Sequence, residues 1–344
     1  MTGRMLRHRL EQTGNAIADQ VTQGSVASGD TIRLSTRAMA CDFSVILNPD
    51  PQRKQVIDAS DALDLVHAVE NKLTVYREQS DLIDLNRQAV LESTEVDQQL
   101  FCLLQASMVI ARETSGAFTP AAGQLNRLWR RCRTEKKLPD QEECQNAVRH
   151  GNYENIELDE SRLTCRITDP QLLLDFSGMG KGEALDRVAA HLDQEQVANY
   201  LIHGGHSSIV ARGSHSGRAG WVVGIRHPQS PGKRVGTIEI IDQAFSASGS
   251  GVQFFRQGGQ RYGHIFDPRS GWPVDHHLSV VVLAPSAAVA DALSTAFYVM
   301  TTEEVIAYCE AHQDIGLLLF PQPRPGKRLE PISINIDSAR IHWC

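Results

Sequence analysis

The stretch LDFSGMGKGEALD, residues 174–186, runs from an apolar, strand-like segment through three glycines and one lysine into a helix. Phosphate-binding loops have this form, because small residues let backbone N–H groups approach an anion and a helix N-terminus favours negative charge. Neither named phosphate motif fits. A Walker loop, G-x-x-x-x-G-K-[ST], needs glycine where Asp175 stands and a hydroxyl where Gly182 stands. A dinucleotide fingerprint, G-x-G-x-x-G, needs a spacing other than that of Gly178, Gly180 and Gly182, which come at every second position. The residues alone leave two readings open: an anion cradle of another type, or a tight strand-to-helix turn with a surface lysine.

Working outward, the pattern upstream is mostly helical. Short strands at 32–36 and 43–47 flank TRAMACD, and a helix over 51–73 is marked by Val56, Ala59, Leu63, Val66 and Val69 at helical spacing. A second long helix over 95–114 has Leu100, Leu103, Leu104, Met108 and Ala111 as its core face. TSGAFTP, 114–120, ends it, and Pro120 suits the first turn of the next helix, which carries Leu125, Leu128 and Trp129. Residues 134–150 are polar with room for one short helix, and strands are expected at 154–158, 162–167 and 172–176. Downstream of a helix over 181–195, strands dominate: 199–203, 207–212, 220–225, 234–241, 244–248, 252–256, 262–266 and 278–284. Helices at 288–300 and 302–312 and a strand at 315–320 follow. Helices early and antiparallel strands late predict an α+β fold, with largely antiparallel or mixed sheets and inserted helices, in one continuous domain over 31–344. Residues 1–30 are expected to be a flexible N-terminal extension with at most one short helix.

Composition narrows the function classes. The 344-residue chain carries a formal charge of −7, against the basic face that general nucleic-acid binding needs. Arg130, Arg131, Arg133, Lys136 and Lys137 form a local basic run without an aromatic platform, which reads as a solvated helix end rather than a nucleic-acid patch. Seven cysteines are scattered with no C-x-x-C, which argues against a zinc site and a disulfide framework. The N-terminal thirty residues show no apolar h-region and no cleavage site before a cysteine. No run reaches the roughly 18 apolar residues of a membrane span. A cytoplasmic, reducing setting is the expectation.

Two further stretches carry chemistry. VADALSTAFYVM, 289–300, reads as a helix on which Asp291 and Thr295, at i and i+4, share a face, with Ser294 beside them. One carboxylate and neighbouring hydroxyl oxygens suit magnesium or calcium rather than zinc, although an aspartate in the first turn packed by small residues has the same sequence. In RYGHIFDPRSGWPV, 261–274, DPRSG is a turn and His264 stands near its mouth, either as a base or as a satisfied strand histidine.

The order of these pieces is more specific than any one of them. YREQSDLIDLN (76–86), TSGAFTPAAGQLNRLW (114–129), the opening stretch, LIHGGHSSIVARG (201–213), ASGSGVQFF (247–255), YGHIFDPRSGWPV (262–274) and VADALSTAF (289–297) resemble the ApbE family of FAD:protein FMN transferases, or flavin transferases. The similarity runs from about residue 36 to residue 320 and implies that family's T-fold-like architecture. It implies that Met39, Ala40 and Cys41 line the flavin site, that Tyr76 packs on the isoalloxazine, and that Ala117, Phe118 and Thr119 contact FAD. Asp175 and Lys181 would contact FAD from the glycine-rich turn. The Gly178 carbonyl would join Asp291, Thr295 and Ser294 around Mg²⁺, with His264 and Ile265 by the flavin phosphate.

The implied reaction is attack by a target threonine (or serine) hydroxyl on the FMN-side phosphorus of FAD, with release of AMP. His264 and Lys181 would be the catalytic side chains, and FAD and an acceptor protein the partners. The same site with water as acceptor would be an FAD pyrophosphatase, and without turnover an FAD-binding protein; the chain does not contain the acceptor that separates these. Three departures stand out: Thr119 replaces the family's usual aspartate, His206 follows Gly204 and Gly205 where the family usually has asparagine, and the export signal of many members is not seen.

Overall fold

The computed structural model describes residues 9–13, 31–230, 232–249, 254–323 and 329–344. Its centre is a nine-stranded sheet in the order Arg9–Thr13, Thr31–Ala38, Cys41–Leu47, Tyr200–Gly204, Ser208–Arg212, Ala244–Gly249, His277–Ala284, Gly316–Pro321 and Ile332–Ile334. Each neighbouring pair is antiparallel. Eight α-helices occur among the described residues: α1 (Arg53–Leu73), α2 (Asp81–Gln88), α3 (Gln98–Glu113), α4 (Gly123–Glu135), α5 (Gln141–Arg149), α6 (Gly180–Gln194), α7 (Ala287–Val299) and α8 (Thr302–Ala311). None is long and apolar enough to cross a membrane. The expected extension, 1–30, lies outside the described residues except for Arg9–Thr13, which is an edge strand paired with Thr31–Ser35 rather than a helix.

The apolar runs of the strands follow from burial on both faces. In His277–Ala284, Val280 and Val282 enter the core shared with the helices, while Val281 and Leu283 enter a second core. Leu317 and Leu319 face the helices in the same way, and Leu318 and Phe320 face away from them. The second core is closed by a three-stranded sheet of Trp221–Arg226, Arg234–Ile240 and Ile341–Trp343, centred on the fully buried Trp221. Period-2 alternation therefore sorts two apolar sets rather than an apolar and a polar one.

α7 lies against the sheet and packs on both α6 and α3. From Asp291 to Val299 it is buried all round apart from Thr295, as a helix apolar on every face must be. Ser286 caps it through the Val289 N–H at 3.3 Å. Asp186 of α6 supplies a second cap, accepting from the Ala287 N–H at 2.8 Å, the Ala288 N–H at 2.9 Å and the Ser286 hydroxyl at 2.7 Å. Burial pushes the Asp186 carboxyl up, against the lowering effect of those three hydrogen bonds.

Three sequence expectations need correction. Residues 172–176 are not a strand. That segment is extended, but its backbone is tied by non-ladder partners. The Asn86 side chain bonds both polar groups of Leu174 at 2.7 and 3.0 Å, the Gly123 N–H donates to Leu173, and the Asp175 N–H donates to Pro120. The strand expected at 262–266 is Gln260–Gly263, with Phe266 only bridging to Pro273. The strand expected at 252–256 is Phe254–Gln257, while residues 252 and 253 lie outside the described ones.

Candidate active site

Two junctions bring the predicted residues together. The first is the start of α6. A Cβ on Gly182 would lie 2.1 Å from the Ala287 carbonyl oxygen, so only glycine lets α6 meet the beginning of α7 this closely. A Cβ on Gly178 would lie 3.1 Å from the Phe118 ring and 3.9 Å from Thr295 Oγ1. Gly178 and Gly182 thus serve close packing, and that packing carries the turn to α7.

The second junction is the Asp291 carboxylate. Its Oδ1 accepts from Ser208 at 3.1 Å and Ser246 at 3.0 Å, and its Oδ2 accepts from the Gly182 N–H at 3.2 Å. Lys181 Nζ reaches Oδ2 at 3.2 Å and Oδ1 at 3.4 Å. Four donors converge on this one carboxylate. The residue is 4% exposed, so the pair with Lys181 and the serine hydroxyls compensate a charge that would be costly alone. One turn on, Thr295 Oγ1 donates to the Asp291 carbonyl at 3.1 Å and keeps contact with solvent. Ser294 is fully buried, with its hydroxyl among Ser246, Ser248 and the Asp291 carbonyl, behind the other predicted ligands rather than level with them.

Met39 and Ala40 form the two-residue turn between Thr31–Ala38 and Cys41–Leu47, both left-handed at φ 49° and 59°. A hairpin of this length requires that region, and glycine or asparagine would enter it with less strain. Glu70 of α1 holds the turn by accepting the Met39 N–H at 2.7 Å. Cys41 faces Gly205 and Lys181: a Cβ on Gly205 would lie 3.0 Å from Cys41 Sγ and 3.9 Å from Lys181 Cδ. Burial pushes the Cys41 thiol up, against the lowering effect of Lys181.

Cys41, Gly205, Lys181, Asp291, Thr295, Gly178 and Phe118 therefore form a contiguous group. Ala117 and Thr119 are buried beside Phe118, and the Thr119 hydroxyl accepts the Ala121 N–H at 3.0 Å. Asp175 lines a neighbouring cleft, and Tyr76 lies against Arg130 of the same lining. Tyr76 is 67% exposed, with the Arg130 guanidinium 4.2 Å over its ring centroid, and Asp175 accepts from the Ser177 N–H at 2.8 Å. His264 is half-buried at the end of Gln260–Gly263. Ile265 after it enters the main core, and Tyr262 and Phe266 pack on Trp129 of α4. His206 turns to the far face of the sheet, stacked on His203 at 5.7 Å.

Residue chemistry fits a hard cation at Thr295. Asp291 offers a carboxylate, Thr295 a hydroxyl and the Gly178 bend main-chain oxygen, and the lysine ammonium on Asp291 shows that this position accepts positive charge. Among the described residues no cluster of three or more His, Cys, Asp or Glu could hold a metal. A cation here would depend on one carboxylate, neutral oxygens and the ligand's own phosphates, a set typical of Mg²⁺. Ser208 and Ser246 were not singled out in the sequence. Period-2 alternation places them on the α7 side of their strands, in register with Val210 and Ala244.

The ApbE family profile matches residues 39–319. A FAD:protein FMN transferase of Klebsiella pneumoniae (strain 342) is 29% identical over 269 residues, covering 77% of this chain and 83% of the relative. The crystal structure of the ApbE protein from Thermotoga maritima superposes with a TM-score of 0.76 at 26% identity, over 87% of this chain and 96% of that one. Flavin transferase ApbE from Vibrio cholerae gives a TM-score of 0.76 at 26% identity, over 88% and 97%.

Proposed function

The chain belongs to the ApbE family, and from that premise we propose that it transfers the FMN half of FAD to a threonine hydroxyl of an acceptor protein, with release of AMP. The observation that carries the reading is the meeting of the Gly178–Gly182 turn with the Asp291–Thr295 face of α7. In the reaction the acceptor oxygen bonds to the FMN phosphorus, and the bond from that phosphorus to the bridging oxygen breaks. AMP leaves with the electron pair.

Phosphoryl-type transfer depends mainly on positioning and on neutralising oxygen charge. Asp291, Thr295 and the Gly178 carbonyl would hold Mg²⁺, with Ser294 behind them. When bound, Mg²⁺ would supply charge neutralisation for the pyrophosphate oxygens. Lys181, on the same carboxylate, adds a compact positive charge on the exposed side. Met39, Ala40, Cys41 and Tyr76 are assigned to the flavin. Ala117, Phe118, Thr119, Asp175 and Ile265 are assigned to the rest of FAD. Thr119 keeps an oxygen at the family's aspartate position but spends it on a backbone N–H. His264 takes the hydroxyl proton.

Incubation with FAD, Mg²⁺ and a threonine-bearing peptide tests this, with AMP and covalent flavin as readouts. Both appear together and disappear with a chelator if the reading is right. AMP without covalent flavin would make the protein an FAD hydrolase. His264→Ala is expected to retain FAD binding and slow transfer by about 10²–10⁴-fold. Transfer at the normal rate would remove the histidine from the mechanism.

A further inference from the structure

The segment that carries His264 is fastened to two cores. Ile265 enters the main one, while Tyr262, Phe266 and Trp272 pack on a smaller one formed by α4 and α5. In that smaller core Leu125, Leu128, Trp129 and Cys132 fall at helical spacing on one face of α4 and meet Cys144 and Ala147 of α5. The Arg131–Glu143 ion pair ties the same two helices at the surface.

Trp129 is the centre of this arrangement and is 2% exposed. Tyr262 and Phe266, two positions before and two after His264, both stack on it with ring centroids 6.3 Å away. Trp272 meets it edge-on at 5.6 Å, so both favoured aromatic geometries are used. The indole Nε1–H donates to the Gly271 carbonyl at 2.8 Å. Gly271 stands at φ 80°, and a Cβ there would lie 3.0 Å from the Val148 side chain and 3.3 Å from Cys144 Cβ, so the turn is pressed onto α5. The turn is closed on itself as well. The Asp267 N–H donates to the Trp272 carbonyl at 2.9 Å, the Gly271 N–H to the Asp267 carbonyl at 2.8 Å, and the Val274 N–H to the Ile265 carbonyl at 3.2 Å.

We propose that Trp129 is a positioning residue for His264. One indole fixes the chain on either side of the histidine and at the turn beyond it, and so sets where the imidazole stands. The inference rests on the transferase reading, in which His264 takes the acceptor's hydroxyl proton. A general base must lie within hydrogen-bond reach of that proton, and a displacement of about 1 Å can cost about 10²-fold in rate. Lys181 and Asp291 are held by α6, α7 and the strands of Ser208 and Ser246. The two halves of the site are therefore placed by different cores, and loosening the smaller core acts on the proton-transfer half.

Two variants of the full chain test this. Trp129→Phe keeps a ring and removes the N–H, and Trp129→Leu removes both. With FAD, Mg²⁺ and a threonine-bearing peptide, kcat for covalent flavin is expected to fall about tenfold in Trp129→Phe and about 10²-fold in Trp129→Leu, with KM for FAD changed by less than about twofold. In a His264→Ala background Trp129→Leu is expected to slow transfer no further, because the group it positions is gone. Equal slowing in both backgrounds, or a rise in KM for FAD that accounts for the loss, makes Trp129 a purely structural residue and overturns the proposal. Diethyl pyrocarbonate gives a readout independent of turnover. Carbethoxylation of His264, mapped by peptide mass, is expected to be several-fold faster in Trp129→Phe, with the other histidines reacting as in the wild type; unchanged His264 reactivity overturns the proposal. If Trp129→Leu loses its cooperative unfolding transition, Trp129→Phe alone decides. If the transferase reading alone fails, the wild type forms no covalent flavin, while the faster carbethoxylation of His264 in Trp129→Phe persists.

Discussion

The two faces of the central sheet treat buried polar groups in opposite ways. On the helix face, Asp291 has Lys181, the Gly182 N–H and two serine hydroxyls around it. On the other face, His203 is fully buried between the sheets. Its Nε2 lies 3.5 Å from Arg33, its ring stacks on His206, and the Nδ1 atoms of both histidines have no hydrogen-bond partner among the described residues. Burial pushes His203 down to about 3, with Arg33 and His206 adding to the effect. His206 is also lowered, by burial and then by Arg226 and Arg33, against a raising contribution from Asp42. One face gathers donors around a charge, while the other keeps imidazoles neutral.

The sharpest way to break this contrast is Asp291→Ala. It removes the carboxylate and leaves Lys181, Ser208, Ser246 and the Gly182 N–H without their acceptor. FMN transfer is expected to fall to background, and stability by about 1–3 kcal/mol. Retained Mg²⁺-dependent AMP release would show that the charge-gathering face is structural only. Gly182→Ala tests the packing beneath that face. The added methyl would meet the Ala287 carbonyl at 2.1 Å, so α6 and α7 must separate. A loss of about 1–3 kcal/mol in denaturant unfolding is expected, and an unchanged midpoint would contradict the close contact.

At neutral pH the smallest effect is on the neutral face. His203 is near 6.5 when unfolded and about 3 when folded, so the unfolded chain binds the extra proton between those values. Its contribution to stability is complete above about pH 6.5 and declines as pH falls toward 3, by up to about 1.4 kcal/mol per pH unit. His203→Gln is expected to flatten that part of the pH–stability curve. An unchanged slope would place the proton uptake on another group.

Much of this was legible in the chain because the relevant pattern is local. Val56 to Val69 and Leu100 to Ala111 show their helices by spacing, and the glycine turn and the Asp291–Thr295 face are visible as short motifs. Leu172–Phe176 misled because an apolar run reports burial and not its hydrogen-bond partners. Here those partners are Asn86 and the Pro120 loop, distant in sequence. Lys181 reads as a phosphate ligand, and its pairing with Asp291 depends on a crossing between helices 110 residues apart. Ser208 and Ser246 carried a usable signal, their register on the strand, but nothing local names Asp291 as what they face. Thr119 and His206 were visible as departures, whereas the directions of their side chains depend on neighbouring backbone and on the second sheet.

Asp186 gives the lysine–aspartate pair a property that ordinary surface ion pairs lack. Through its grip on the first amides of α7, it couples the two helices that carry Lys181 and Asp291 at a point one turn away from them. The ammonium and carboxylate are neighbours because main chain meets main chain, so dissolved electrolyte that weakens their attraction does not move their anchor points. The positive and negative halves of this ion pair arrive as one prefabricated piece.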